Sequence, residues 1–529
     1  MTEEKTLFKQ LLEEGQALYD EKKYIEAIKV YKTAFVMFKN LDKHSLGILY
    51  IKLANAYYKL DNIDKYTFYY EEYLKEFPKG QASIFSRLAH AYYYIDSDKS
   101  IDYHNKALNM QSSIYDSSGK LFAMTKSAFY DQKDIKDEAE YEAERIKNDF
   151  YKNIEKYNHD NKKQLKDKKL NIGYLSADCY CHTMMNYILP VWENHNREEF
   201  NIFIFNASNK EDLTTQKIKE LGFEVINCAK MNNELLAKTI YEKEIDILVD
   251  LGGYTHLKSY CALFKPAPVI ISYLGYLNTL GIKEFGYILT DRYTIPEEKS
   301  YLYTEKPLYL KNGYQVFEAK NLPSLKENPF KTNGYITFGS FNCSSKINDT
   351  TIYMWCKILE EVENSKLLIY RTRLNKTIVK HLKSKFNQWG VNEDRITYCN
   401  STYSPHYKIY SYADISLDPY PFSGMSIAIE TALMGVPTIT LSGEGMQSRG
   451  ASRINELIGN SDLNASCGEE YIDFASKLAK NTKRLQRMRR NLRKKVLESS
   501  LCNNPEKFTR DLEEKYKQVW DIFVNTPNA

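Results

Sequence analysis

The 529 residues carry 73 Lys and Arg against 69 Asp and Glu, and a net charge of +4 offers no electrostatic footing for nucleic acid. Hydrophobic residues at 43% suffice for packed cores, a prior of about 150 residues per domain gives three to four domains, and no run approaches the ~20 apolar residues of a membrane span. The leading MTEEKTLFKQ lacks the apolar core of a secretory signal. Nine scattered cysteines suit reduced thiols in a cytoplasmic protein, Cys179 and Cys181 being too close for an ordinary disulfide or metal pattern.

The first 152 residues read as a helical repeat. Ala17-Leu18-Tyr19, Ala56-Tyr57-Tyr58, Ala91-Tyr92-Tyr93 and Ala128-Phe129-Tyr130 share one signature at intervals of about 35–39 residues, each followed by a polar turn and a second amphipathic helix. Small alanines allow close approach of paired helices and the aromatics fill the groove, the pattern of degenerate tetratricopeptide repeats, with an irregular helical bundle as the other reading. Residues 153–169 are strongly charged and weakly apolar, a linker or connecting helix.

From Leu170 onward, strands and helices alternate. Predicted strands are Leu170–Leu175, Phe200–Phe205, Glu224–Ile226, Ile245–Val249, Val269–Tyr273 and Tyr287–Leu289, then a second series of Tyr335–Phe338, Leu367–Tyr370, Arg395–Tyr398, Ile415–Leu417 and Thr438–Leu441. Two such series imply two doubly wound lobes, residues 170–325 and 326–529, with a ligand cleft between their strand ends. The basic run Lys483–Lys495 places Leu485, Met488, Leu492 and Val496 on one side of a helix and is read as a solvated helix closing the second lobe.

The loops at the strand ends hold the candidate chemistry. His182 follows the first strand, where a histidine serves as a general base or is merely exposed or structural. Asp250–Thr255 and Leu274–Gly281 are glycine-containing turns that permit close approach to a ligand. Lys346, in the loop after Phe338, is placed to neutralise a diphosphate as a point charge. Residues 417–424, LDPYPFSG, feed a helix beginning at Ser423-Gly424, and a small-residue loop opening a helix at a strand's carboxyl end suits a phosphate, though an ordinary βαβ crossover has the same pattern. Neither GxxxxGK[ST] nor GxGxxG occurs, and the sole DxD, Asp96-Ser97-Asp98, falls in a repeat turn.

Taken in order, IGYLSADCYCH (172–182), ILVDLGGYT (247–255), KPAPVIISYLGY (265–276), YILTD (287–291), SFNCSSKI (340–347), LDPYPFSG (417–424), LMGVPTITLSGE (433–444) and SR (448–449) resemble the O-linked N-acetylglucosamine transferases and their SPINDLY-like relatives, over roughly residues 170 to 520. The resemblance, to a bacterial member, implies tetratricopeptide-like helices ahead of a two-lobed α/β glycosyltransferase of the B type, with inverting, metal-independent chemistry. Its co-substrate is a nucleotide-sugar, UDP-N-acetylglucosamine, with no further cofactor. Its partner is a protein acceptor modified on Ser or Thr, such as a surface or flagellar protein glycosylated before export. By position, His182 matches the active-site histidine and Lys346 the lysine on the donor diphosphate. His406 matches a histidine near the nucleotide, Glu430 an acidic residue at the nucleoside, and Thr279 a loop residue beside the sugar. Gly424 and Ser426 fall in the phosphate loop.

The chain departs from that pattern at Met425-Ser426-Ile427, where the relatives have His-Thr-Thr or Gly-Thr-Thr, so one hydroxyl survives and another is replaced by an alkyl group. Leu277-Asn278 replaces Pro-Gly, and Cys343 stands where an amide often contacts the donor. Altered donor binding is the expectation, with UDP-hexose or GDP-fucose as other donors and a non-catalytic repeat scaffold as the other class of function.

Overall fold

A computed structural model describes residues 3–38, 42–164, 168–402 and 406–527; residues 165–167 of the expected linker lie outside them. Eight helices come first: α1 (Glu3–Asp20), α2 (Tyr24–Met37), α3 (Lys43–Lys59), α4 (Ile63–Glu76), α5 (Ala82–Tyr92), α6 (Ser97–Met110), α7 (Ile114–Met124) and α8 (Gln132–Phe150). The polar turns act as N-caps. Asn62, Asp96 and Asp131 accept from the backbone N–H three residues on, and Asp131 with Asp134 forms a capping box. The DxD is thus occupied in starting a helix.

The repeat signature needs a correction in register. Ala56 and Ala91 are buried, but Ala17 and Ala128 are exposed, and Phe129 is 80% exposed. The crowded small positions are Gly15, where a Cβ would meet the Tyr31 ring at 2.3 Å, and Ala54, Ala89 and Ala123, all fully buried. Ala128-Phe129-Tyr130 lies past the end of α7, so local resemblance picked a turn for a helix there.

Compactness divides the chain at a different place from the expected boundary at 152. One unit comprises residues up to Asp116 with Asn375–His381, and its core is built from Tyr31, Leu49, Leu53, Tyr70, Leu88 and the alanines between them. The other comprises Ser117–Leu374 and Leu382–Ala529, so most of α7 and all of α8 belong with the lobes. In this second unit Gln132 of α8 exchanges hydrogen bonds with Asn278, which also donates to Gln447, all three buried. That hub joins α8 to both lobes.

The first lobe is a seven-stranded parallel sheet of β1 (Leu170–Ser176), β2 (Phe200–Asn206), β3 (Glu224–Asn227), β4 (Ile247–Asp250), β5 (Val269–Ser272), β6 (Tyr287–Thr290) and β7 (Lys306–Tyr309), in the order β3-β2-β1-β4-β5-β6-β7. The sequence pattern missed β7 because Pro307 argues against a strand; an open edge tolerates the missing N–H. The second sheet contains β8 (Thr337–Ser340), β9 (Lys366–Tyr370), β10 (Ile396–Cys399), β11 (Ile415–Leu417), β12 (Thr438–Leu441) and the two-residue β13 (Asn464–Ala465), in the order β10-β9-β8-β11-β12-β13. Buried runs such as Ile247-Leu248-Val249 are what a sheet covered on both faces requires. The C-terminal helix Pro505–Asn525 returns to the first lobe, where His195 lies 2.9 Å from Glu513 and 2.8 Å from the Tyr174 hydroxyl, itself 3.0 Å from that of Tyr516. Tetratricopeptide-like helices followed by two Rossmann-like sheets make the expected B-type architecture.

Candidate functional site

Both sheets reverse their strand order in the middle, between β1 and β4 in the first and between β8 and β11 in the second. Chains leaving such neighbouring strands turn to opposite faces and open a crevice at the carboxyl ends. A cavity of about 550 Å³ lies there, lined from the first lobe by residues after β1, β4 and β5 and from the second by residues after β8, β9, β10 and β11.

The β11 loop is fixed from below. Asp418 accepts from the Gly424 N–H at 2.7 Å and from the Thr440 hydroxyl at 2.8 Å, and burial raises its pKa against the pull of those bonds. A Cβ on Gly424 would stand 2.3 Å from Asn342 Oδ1, so any larger residue here would displace the Asn342 side chain. The helix Met425–Leu433 follows with no side-chain cap, its first helical bond running from the Ala428 N–H to the Gly424 carbonyl. Its leading N–H groups therefore have no partner within the helix and suit an anion. Gly435 ends it at φ +73, beside the Arg489 backbone oxygen at 2.5 Å from a built Cβ.

Lys346 closes the turn Ser344–Lys346 after β8. Its ammonium donates to the Ser423 carbonyl at 3.0 Å and sits 4.4 Å from the centre of the Phe422 ring, at the foot of that helix. Burial pulls its pKa down to about 8, with Asp418 and Cys343 opposing and Arg371 assisting. Beside it, Asn342 is 2% exposed and lines the cavity, and its buried Nδ2 has no hydrogen-bond partner among the described residues.

The remaining candidates divide. Glu430 accepts from the Tyr410 hydroxyl and lies 3.2 Å from Nε2 of His406, whose pKa is raised chiefly by that contact. Both His406 and Glu430 line the cavity, as do His182, Lys346, Gly424 and Ser426. His182 Nδ1 accepts from the Met184 N–H at 3.3 Å, while the Asp178 carboxylate is farther, at 3.6 Å. That bond requires an unprotonated Nδ1 and hence a proton on Nε2, making the free nitrogen a donor in the neutral ring. Thr279 must be corrected. It is fully buried, its hydroxyl donates to Glu305 at 2.6 Å, and it does not line the cavity, which the same loop reaches through Leu274, Gly275 and Leu277.

Several lining residues were not foreseen: Asn342, Arg371, Tyr410 and Tyr187, the last reaching from the helix Met185–Glu193 to the Ser426 hydroxyl at 2.7 Å. Lys126, between α7 and α8, is also new. It is 2% exposed, its ammonium lies 3.4 Å from the centre of Phe122 and 5.6 Å from that of Phe422, and burial holds its pKa far below normal, with Lys346 adding to the effect. No local pattern announces these residues. Only the asparagine of SFN was within a quoted motif.

The family model for Glycosyl transferase family 41 matches residues 143–334 and 327–512. The chain belongs to that family. It is 27% identical over 380 residues to a probable UDP-N-acetylglucosamine–peptide N-acetylglucosaminyltransferase SPINDLY of Solanum lycopersicum, covering 70% of this chain and 41% of that protein. It is 28% identical over 368 residues to the probable transferase SEC of Arabidopsis thaliana, covering 67% of this chain and 37% of that one. The chain thus matches well under half the length of these curated relatives. Its fold is similar to that of a point mutant of the Thermobaculum terrenum O-GlcNAc transferase, with a TM-score of 0.82, 23% identity and 99% of each chain covered.

Proposed function

We propose that the protein is an inverting, metal-independent O-glycosyltransferase that moves N-acetylglucosamine from UDP-N-acetylglucosamine to Ser or Thr of a protein acceptor. The observation that carries this reading is the Lys346 ammonium at the uncapped start of the helix Met425–Leu433, in a cleft between two lobes. When the acceptor oxygen attacks the anomeric carbon from the face opposite the diphosphate, the bond from that carbon to the β-phosphate oxygen breaks. The electron pair leaves with UDP. Lys346 and the helix N–H groups supply the stabilisation that grows with this charge, and they do so without a metal. His406 and Glu430 are assigned to the nucleoside. With Nδ1 of His182 accepting from Met184, His182 is assigned as an Nε2–H donor toward the sugar and acceptor, and a diphosphate oxygen takes the acceptor's proton. The names of the plant relatives support the same donor and a peptide acceptor.

Intact-mass analysis of candidate acceptors, surface and flagellar proteins among them, tests the whole reading. Incubated with the enzyme, UDP-N-acetylglucosamine and EDTA, an acceptor is expected to gain one N-acetylhexosamine residue. No transfer with any of UDP-N-acetylglucosamine, UDP-hexoses or GDP-fucose overturns it, and full dependence on an added divalent ion overturns the metal-independent chemistry. Transfer only from another donor favours the second reading, motivated by Met425 and Ile427 at the phosphate loop. UDP or GDP binding without transfer or donor hydrolysis would point to a scaffold.

A further inference from the structure

The first turn of the helix that begins at Met425 carries one side-chain hydroxyl, that of Ser426, between Met425 and Ile427. The first lobe sends two tyrosines across the cleft to this first turn. Tyr314 donates its hydroxyl to Met425 Sδ at 3.2 Å, and Tyr187 shares a 2.7 Å hydrogen bond with the Ser426 hydroxyl. Tyr187 is 2% exposed, packs edge-on against Phe317 at 5.1 Å between ring centres, and lines the cavity. Burial raises its pKa, so the phenol remains a neutral O–H group at working pH.

Two hydroxyls joined by one hydrogen bond retain one further proton to donate. A phenol is the stronger donor of the two, so the favoured arrangement has Tyr187 giving its proton to the Ser426 oxygen while the serine O–H turns toward the cavity. Accepting a hydrogen bond polarises the serine and strengthens the bond that it gives onward. We propose that Tyr187 is a positioning residue for the nucleotide diphosphate: through Ser426 it aims and strengthens the one side-chain hydroxyl remaining at the start of the helix, offsetting the alkyl side chain of Ile427. The bond joins a helix of the first lobe to a helix of the second, so the same contact holds the lobes in register when the donor is bound. This rests on the reading of the cleft as a nucleotide-sugar site.

Calorimetric titration of UDP into the full chain tests it, with Tyr187→Phe, Ser426→Ala, the double variant and Ser426→Thr. Tyr187→Phe and Ser426→Ala are each expected to weaken UDP about three- to tenfold, the worth of one hydrogen bond. The double variant should be no weaker than Ser426→Ala, because Tyr187 acts through that hydroxyl. Ser426→Thr, which keeps the hydroxyl, should bind as the parent does. Steady-state rates should show the loss in donor KM, with acceptor KM unchanged. Wild-type affinity in Tyr187→Phe, or single effects that multiply in the double variant, overturns the proposal. Melting curves accompany each variant, and a loss of UDP affinity restored by low temperature alone counts as structural and also overturns it. Lys346→Ala separates the two levels. If UDP binds the parent and that variant equally, the donor-site reading has failed; if Lys346→Ala loses binding while Tyr187→Phe does not, only the role of Tyr187 has.

Discussion

Replacing Lys346 by Met keeps the length of the side chain and removes its charge, and the structure predicts opposite effects on stability and binding. The folded pKa of about 8 lies below the ordinary 10.5, so between those values the unfolded chain holds a proton that the folded protein has released. Stability of the empty protein therefore rises with pH across that window, and at pH 7 the folded state carries the charged ammonium at a cost. A displacement of this size corresponds to at most about 3 kcal/mol, and because the side chain is only half-buried, water in the cleft reduces this to roughly 1–2 kcal/mol. Lys346→Met should thus melt a few degrees higher than the parent at neutral pH. UDP binding runs the other way. The diphosphate needs the protonated form, so parent affinity should fall up to about tenfold per unit above pH 8, and Lys346→Met should lose affinity and show no such slope. Turnover should drop about a hundred- to thousandfold, as for other groups facing developing charge. Differential scanning calorimetry and UDP titration between about pH 7 and about pH 9 read both effects. A variant that melts lower than the parent, together with parent affinity flat over that range, refutes the argument.

Removing the residues up to 116 should leave a folded, cooperatively melting enzyme that modifies short peptides but discriminates poorly among whole proteins. Removal through residue 150 should yield aggregated protein, because it deletes α8 and the Gln132 contact with Asn278; gel filtration and melting curves decide between the two cuts. Ile427 both lines the cavity and packs against the cluster containing Phe341, Tyr407 and Tyr410. Ile427→Thr is therefore expected to bind UDP up to about tenfold more tightly while losing about 1 kcal/mol of stability, and calorimetric titration with unchanged or weaker binding would show that phosphate does not meet this position. Glu305, buried and accepting from Thr279 and the Leu280 N–H, has its pKa raised to about 7. Between its ordinary value and about 7 the folded protein holds the extra proton, so stability falls as pH rises through that range; Glu305→Gln should flatten this slope and melt higher at pH 8.

Local pattern carried much of the architecture. β-Branched and aromatic runs ended by turn residues located all eleven predicted strands within two residues at each end, and β11 and β12 over their full length. The strand Ile245–Val249 started two residues early, and Tyr335–Phe338 two early and two short. Those signals are legible because a parallel strand must be apolar on both faces and its loop must turn sharply at the end. The loops bearing His182, Lys346 and Gly424 were legible for the same reason, since residues at strand carboxyl ends converge in any doubly wound sheet. The amphipathic face of the helix Thr482–Glu498 was likewise written in the chain, with Leu485, Met488, Leu492 and Val496 all buried.

Tertiary packing settled the rest, because it brings together residues with no relation along the chain. Arg489, counted among solvated charges, shares the helix face of Leu485 and Leu492 and is 3% exposed; the period marks that face, but the carbonyls of Met434 and Ala413 to which it donates come from another helix end and another strand's approach. Thr279 and Leu277 occupy one loop, yet one faces Glu305 and the other the cleft, a matter of backbone direction within a turn. Ala123 is buried and Ala128 exposed because the helix ends between them. Tyr187 and Ser426 stand 239 positions apart, and Lys126 comes to the Phe422 ring from the helical region. Composition and periodicity act over a few residues and therefore specify elements and their strand-end loops. Which polar groups share a buried environment, and so which pKa values move and which hydroxyls are paired, depends on how those elements close around one cleft.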